Sequence, residues 1–228
     1  MLRFFCKNGR SRLRTESSED REMRLELYVV GPVQTNCYFV INEKTNEMIV
    51  VDPGASGEAL AKKAQESGYI PKAILLTHGH FDHCGGIDAF RKIYEVPVYT
   101  YEGERPTIEQ GRYNLSGDMG PETAYHVDEY LQDEKELDLA GFHLRLLATP
   151  GHTLGGCCFY FPYEKVLFAG DTLFAGSVGR TDFPGGSMST LVRSIKDKLM
   201  VLPPETVVYP GHGEATTIDD ERMNNPYL

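Results

Sequence analysis

The chain has 228 residues, 41% hydrophobic and 25% charged, the proportions of a soluble globular protein with room for a sizeable core. A formal net charge of -10 argues against a nucleic-acid partner, which calls for a basic surface, and no apolar stretch approaches the roughly 20 residues that span a bilayer. The five cysteines (Cys6, Cys37, Cys84, Cys157 and Cys158) are odd in number, irregularly spaced and include an adjacent pair, which reads as reduced thiols in a cytoplasmic protein.

Residues 1–14 carry Arg3, Lys7, Arg10, Arg12 and Arg14 without an acid, but Glu16, Glu19, Asp20 and Glu22 follow at once, against a transit peptide. A disordered leader over 1–22 is expected, with the fold beginning near Met23. Residues 24–30 alternate polar and apolar side chains, as a half-buried strand does. After the Gly31-Pro32 turn, 37–41 and 48–51 read as two more strands, the second ended by Asp52-Pro53-Gly54. Residues 58–67 have helical periodicity and stop at Gly68. The apolar run 73–76 is a short strand, so the segment beginning at Thr77 sits on the loop at its C-terminal end.

Residues 86–95 read as a helix and 96–100 as a strand. The polar stretch 102–135 is expected to hold a helix and an irregular loop. Strand patterns return at 142–148, 157–161 and 166–168; 189–200 is an amphipathic helix and 206–209 a last strand. Strands dominate without strict βαβ alternation. This predicts an α+β fold, two mixed β-sheets face to face with helices outside, in one domain over 23–228.

Of the seven histidines, His78, His80 and His83 fall with Asp82 inside Thr77-His78-Gly79-His80-Phe81-Asp82-His83. Packing does not explain three imidazoles and a carboxylate so close together; half of a metal site does. His152 in Pro150-Gly151-His152-Thr153, Asp171 after Phe168-Ala169-Gly170, and His212 in Pro210-Gly211-His212-Gly213 each follow an apolar strand and occupy a turn of small residues. Loops at strand ends converge on one edge of a sheet, where such ligands can meet. Alone, His152 or His212 would more often be a satisfied core or surface histidine; beside the first cluster both become ligand candidates. His126 and His143 lack the turn and read as exposed or packed imidazoles. Cys84 should point away from a metal if the residues after His83 open a helix.

Imidazoles and carboxylates without thiolates suit Zn²⁺, with Fe²⁺ or Mn²⁺ as alternatives. Five histidines and two aspartates exceed the needs of one tetrahedral ion. They suffice for two divalent ions bridged by a carboxylate and a hydroxide.

The order and spacing of these residues resemble the metallo-β-lactamase superfamily, from about Met23 to the C-terminus. The resemblance implies a four-layer αββα sandwich, with His78, His80 and His152 on a first metal and Asp82, His83 and His212 on a second. It implies Asp171 as the bridge and a catalytic share for Asp82 in orienting the hydroxide. β-Lactamases of the commonest subclass carry cysteine where Asp171 stands and arginine where His83 stands, which places this resemblance in the hydrolase branch. Within that branch Gly31-Pro32-Val33-Gln34-Thr35-Asn36-Cys37-Tyr38, Gly179-Arg180-Thr181-Asp182-Phe183-Pro184-Gly185-Gly186 and Asn225-Pro226-Tyr227-Leu228 resemble the glyoxalase II-like proteins. Those hydrolyse thioesters such as S-lactoylglutathione. Full-length glyoxalase II continues into a helical glutathione-holding domain, whereas sixteen residues follow His212 here, as in compact bacterial relatives.

The expected function is therefore a metal-dependent hydrolase, cleaving a small-molecule thioester of an S-(hydroxyacyl)glutathione kind through a metal-bridging hydroxide. No nucleic-acid or membrane partner is expected. Arg180 and Asp182 read as a structural ion pair. Two other activities resemble this family as well. One is an iron-dependent persulfide dioxygenase using His78, His152 and Asp171 or a similar set; the other is an RNA-processing nuclease, disfavoured by the charge.

Overall fold

The computed structural model describes residues 23–228; the leader expected over 1–22 lies outside the described residues. Strands β1 (Met23–Val30), β2 (Thr35–Asn42) and β3 (Glu47–Val51) form an antiparallel meander. Helix α1 (Gly57–Glu66) then crosses to β4 (Ile70–Leu75), which pairs parallel with β3. Strands β5 (Val98–Tyr101) and β6 (Glu129–Leu131) extend this sheet in parallel, giving the order β1-β2-β3-β4-β5-β6.

The second sheet takes β7 (Glu136–Leu139), β8 (Phe142–Ala148), β9 (Cys157–Phe161) and β10 (Val166–Gly170) as antiparallel neighbours. Between β10 and the final strands, β11 (Leu173–Phe174) and β12 (Ser177–Val178) make a small separate ribbon. Strand β13 (Val207–Pro210) pairs parallel with β10, and β14 (Thr216–Thr217) closes the edge.

The pleat sorts the apolar side chains into layers. On β2, Cys37, Phe39 and Ile41 face Leu60 and Ala64 of α1 and Phe90 of α3 (Ile87–Arg91), while Tyr38 and Val40 face the opposing sheet. All eight residues of β2 are consequently buried. On β9, Phe159 and Phe161 meet the first sheet, and Cys158 and Tyr160 turn outward. There they pack with Leu191 of α6 (Met188–Ser194) and with Ile195 and Leu199 of the π-helical turn that continues it. The molecule is the expected α+β sandwich of two mixed sheets with helices outside.

The expected strands stand within a few residues of their predicted ends. The stretch 102–135 departs most: its helix is split into α4 (Arg105–Glu109) and α5 (Gly111–Asn114), parted by Gln110 in an extended conformation with φ -125°. Short strands β6, β7, β11, β12 and β14 and helix α7 (Ile218–Asn224) were not expected. Cys37, Cys84, Cys157 and Cys158 are buried and unbridged. No helix among the described residues is long and apolar enough to cross a membrane.

Parallel pairing is what gathers chemistry in this fold. Strands β10 and β13 run the same way, so Asp171 and His212 leave the sheet at one edge. The backbone N–H of Cys157, at the start of β9, donates to Thr77 O at 2.8 Å, bringing the loop after β4 to that edge from the other sheet.

Candidate metal centre

His78, His80, Asp82, His83, His152, Asp171 and His212 all converge there. Their donor atoms fall into three overlapping groups able to hold a metal ion: His78–His80–His152, Asp82–His83–His212 and His78–His83–Asp171. His152 Nε2 lies 3.1 Å from His80 Nδ1. His212 Nε2 lies 3.2 Å from Asp82 Oδ2, and His83 Nε2 lies 3.4 Å from that oxygen. Asp171 sits between the groups, with Oδ1 3.5 Å from His83 Nε2 and Oδ2 3.6 Å from both His152 Nε2 and His212 Nε2.

The outward nitrogens fix which way the lone pairs face. His152 donates Nδ1–H to the Arg180 carbonyl at 2.7 Å. His83 donates Nδ1–H to Asp52 Oδ2 at 2.9 Å. Thr77 gives its hydroxyl hydrogen to Asp52 Oδ2 at 2.7 Å, which leaves its oxygen to accept His78 Nδ1–H at 3.1 Å. The rings of His78, His83 and His152 thus turn Nε2 inward, and His80 turns Nδ1 inward toward His152, the arrangement that metal-binding histidines need. The Nε2 atoms of His78 and His83 and Oδ1 of Asp171 are buried without a hydrogen-bond partner, a costly state that a cation relieves. The donor set fits a pair of divalent ions.

Electrostatics separate the two halves. Burial, and then the neighbouring imidazoles, push His78 and His80 well below the ordinary histidine range. At His83 burial acts the same way, but Asp82, Asp171 and Asp52 outweigh it and raise the imidazole to about 10. Burial would raise Asp82, yet His83 and hydrogen bonds involving His212 and Thr35 hold its carboxyl well below the usual range.

Sequence reasoning missed the supports of these groups. Asp52, read only as the end of a strand, anchors both Thr77 and His83. Thr35 Oγ1 donates to Asp82 Oδ2 at 2.7 Å. Asn36 Nδ2 donates to Pro210 O and Gly213 O, each at 3.0 Å, and Tyr38 Oη donates to Pro210 O at 2.7 Å, so the start of β2 holds the His212 turn. Gly211 is obligatory in that turn: a Cβ there would stand 2.3 Å from Asp171 Oδ1 and 2.6 Å from the His83 ring. Buried Glu104 ties the loops of His78–His80 and His152 together, and nothing in its polar sequence surroundings marks it. A carboxylate directly after a strand, as at Asp52, is the one signal that could have been read.

The remaining expectations fall into place. His126 and His143 lie away from the cluster and pair with Asp128 and Asp138, each at 3.1 Å. Cys84 closes α2 (Phe81–Cys84) with its Sγ toward His78 O at 3.5 Å, away from the cluster, and burial raises its thiol well above the ordinary range. Arg180 and Asp182 form a bidentate pair with both contacts at 2.7 Å.

Comparison with known proteins agrees with this geometry. Residues 30–212 match the sequence profile of the Metallo-beta-lactamase superfamily. The chain is 40% identical over 201 residues to the probable metallo-hydrolase YqgX of Bacillus subtilis, covering 87% of this chain and 94% of that protein. It is 35% identical over 209 residues to hydroxyacylglutathione hydrolase GloC of Haemophilus influenzae, covering 90% and 98%. Among solved structures, the B3 metallo-β-lactamase BLEG-1 superposes with a TM-score of 0.84 at 40% identity over 90% of this chain and 99% of that one. TTHA1623 in a di-iron-bound form superposes with a TM-score of 0.78 at 37% identity, over 89% and 100%. The chain belongs to the metallo-β-lactamase superfamily and, through it, to the metal-dependent hydrolases.

Proposed function

We propose that the protein hydrolyses a small-molecule thioester at a two-metal site. The observation that carries this reading is Asp171, whose two oxygens reach both histidine groups. His78, His80 and His152 would hold one ion, Asp82, His83 and His212 the other, with Asp171 shared. Zn²⁺ is the first expectation, and the di-iron-bound form of TTHA1623 keeps iron open. Two such ions, when bound, polarise a carbonyl oxygen and make water nucleophilic near neutral pH.

The chain's own groups do the positioning. Asp82, kept ionised by His83 and His212, offers a carboxylate that accepts a hydrogen bond from an attacking water and orients it. Beside His80, the Phe183 ring stands edge-on at 5.7 Å between centroids. Phe183 and Pro184 face Arg112, Leu115 and Glu122 across a cavity of about 500 Å³, room for the arm of a small thioester. A thiolate leaves without a strong general acid because its thiol has a pKa of about 8.5. That suits a site whose three aspartates, Asp52, Asp82 and Asp171, all face the His83 imidazole. The likeness to GloC supports a hydroxyacyl thioester as the substrate class.

The likeness to BLEG-1 favours a second reading, a β-lactam amide. An amine is a poorer leaving group than a thiolate and needs a proton delivered to it. Steady-state kinetics on an S-hydroxyacyl thioester and a chromogenic cephalosporin decide between the readings. The thioester is expected to give the higher kcat/KM by at least about a hundredfold; the reverse order would make the β-lactam reading the better one. One iron per chain with oxygen uptake and no thioester turnover would replace both with the dioxygenase.

A further inference from the structure

Glu104 has no exposed surface, although it is a carboxylate. It stands just after β5, at the end of a 3-10 turn over Glu102–Glu104. Its Oε1 accepts the backbone N–H of Gly79 at 2.8 Å, the residue between His78 and His80. Its Oε2 accepts the Thr153 hydroxyl at 2.9 Å and the Gly155 N–H at 2.7 Å, on the loop that carries His152. One carboxylate therefore fastens a loop of the first sheet to a loop of the second.

The fit around this clasp has no slack. A Cβ on Gly155 would stand 2.0 Å from the Gly103 carbonyl carbon and 2.2 Å from Glu104 N, so the His152 loop rests directly on the Glu104 backbone. Burial pushes the carboxyl up to about 7 against the pull of its donors. A buried carboxylate costs free energy that a hydrophobic side chain of similar volume would not. What it supplies in return is two acceptors, aimed at the two loops whose histidines meet at 3.1 Å.

We propose that Glu104 is a positioning residue for the first metal site, setting the distance between the His78–His80 loop and His152 without itself touching a metal. This rests on reading His78, His80 and His152 as metal ligands. Glutamine in its place presents one acceptor and one NH₂ group. Whichever way the amide turns, one loop loses its acceptor and a donor faces a donor. Aspartate is one methylene too short to reach both loops. The requirement is for a carboxylate of this length.

The test uses the full chain stripped of metal and titrated with Co²⁺, the two dissociation constants being read by absorption and chelator competition. His152→Ala and His212→Ala variants identify which signal belongs to which site. Glu104→Gln is expected to weaken the site lost in His152→Ala by about 10–100-fold, the usual effect of removing an outer support of a ligand. The site lost in His212→Ala is expected to shift by less than about threefold. Thr153→Val should weaken the same first site, and adding it to Glu104→Gln should cost less than the two single effects combined, because both cut one clasp. Equal weakening of both sites, or unchanged constants with a lower melting temperature of the metal-free chain, would overturn the proposal and leave Glu104 a structural residue. A wild-type chain that binds no Co²⁺ would overturn the metal reading and this proposal with it.

Discussion

Asp52 carries more of the site than its place at a strand end suggests. Its two oxygens accept Thr77 N–H at 2.8 Å, the Thr77 hydroxyl at 2.7 Å and His83 Nδ1–H at 2.9 Å, so one carboxylate orients His78 indirectly and His83 directly. Asp52→Asn keeps the shape but sets an NH₂ group against these donors. We expect metal affinity at the His83 site to fall by about 10–100-fold, measured by chelator competition; an unchanged affinity would mean that His83 is oriented by its other neighbours. A second expectation follows from protonation. His78 and His80 are already held neutral by burial, whereas His83 is raised to about 10 by the surrounding carboxylates. At neutral pH a cation at the second site must displace the His83 proton, and with His212 raised as well, affinity there should fall at least about tenfold for each unit of acidification. Lowering the pH from about 8 to 6 should therefore empty the second site before the first. Metal content after dialysis at each pH checks the order, and loss of the first ion ahead of the second would contradict it.

At the scale of elements, the ligands are carried by strand ends and the strand ends are held by β2. Tyr38 alternates with Phe39 along that strand: Phe39 enters the layer beneath α1, while Tyr38 turns toward the second sheet and caps the Pro210 carbonyl. Tyr38→Phe should cost about 1 kcal/mol in urea unfolding, with the His212 turn loosened by loss of the hydroxyl that Tyr38 gives to Pro210 O beside Asn36. Strand 142–148 was legible because a half-buried strand writes its faces into every second residue, and 157–161 because a strand covered on both faces is apolar throughout. The histidines were legible for a different reason, since imidazoles beside glycine after an apolar run have little use in packing. Asp52, Thr35 and Glu104 were not legible. Each acts on a residue at least 25 positions away, across a contact that exists only after the strands of the first sheet have paired. Helices α4 and α5 escaped because their boundary depends on the backbone at Gln110, where residue type says little.

For the whole molecule, the two sheets meet over an apolar interlayer containing Phe142, Phe159, Phe161 and Phe168, all fully buried. Truncating Phe159 to alanine should cost about 3–5 kcal/mol, read by urea unfolding; a loss below about 1 kcal/mol would mean that the sheets do not depend on this packing. The metal edge is the opposite kind of seam, polar and full of unpartnered donor atoms. Bound cations should stabilise it, each adding about 2.7 kcal/mol when supplied at a hundredfold over its Kd. The thioester reading stands or falls on that edge holding two ions that act together. The most direct measurement is thioester turnover by the metal-stripped full chain as Zn²⁺ is added back in steps. Turnover rising to a plateau at two equivalents per chain, and absent at every loading in Asp171→Ala, is the predicted result. A maximum at one equivalent that declines with the second, or full turnover in Asp171→Ala, would contradict a shared two-metal site.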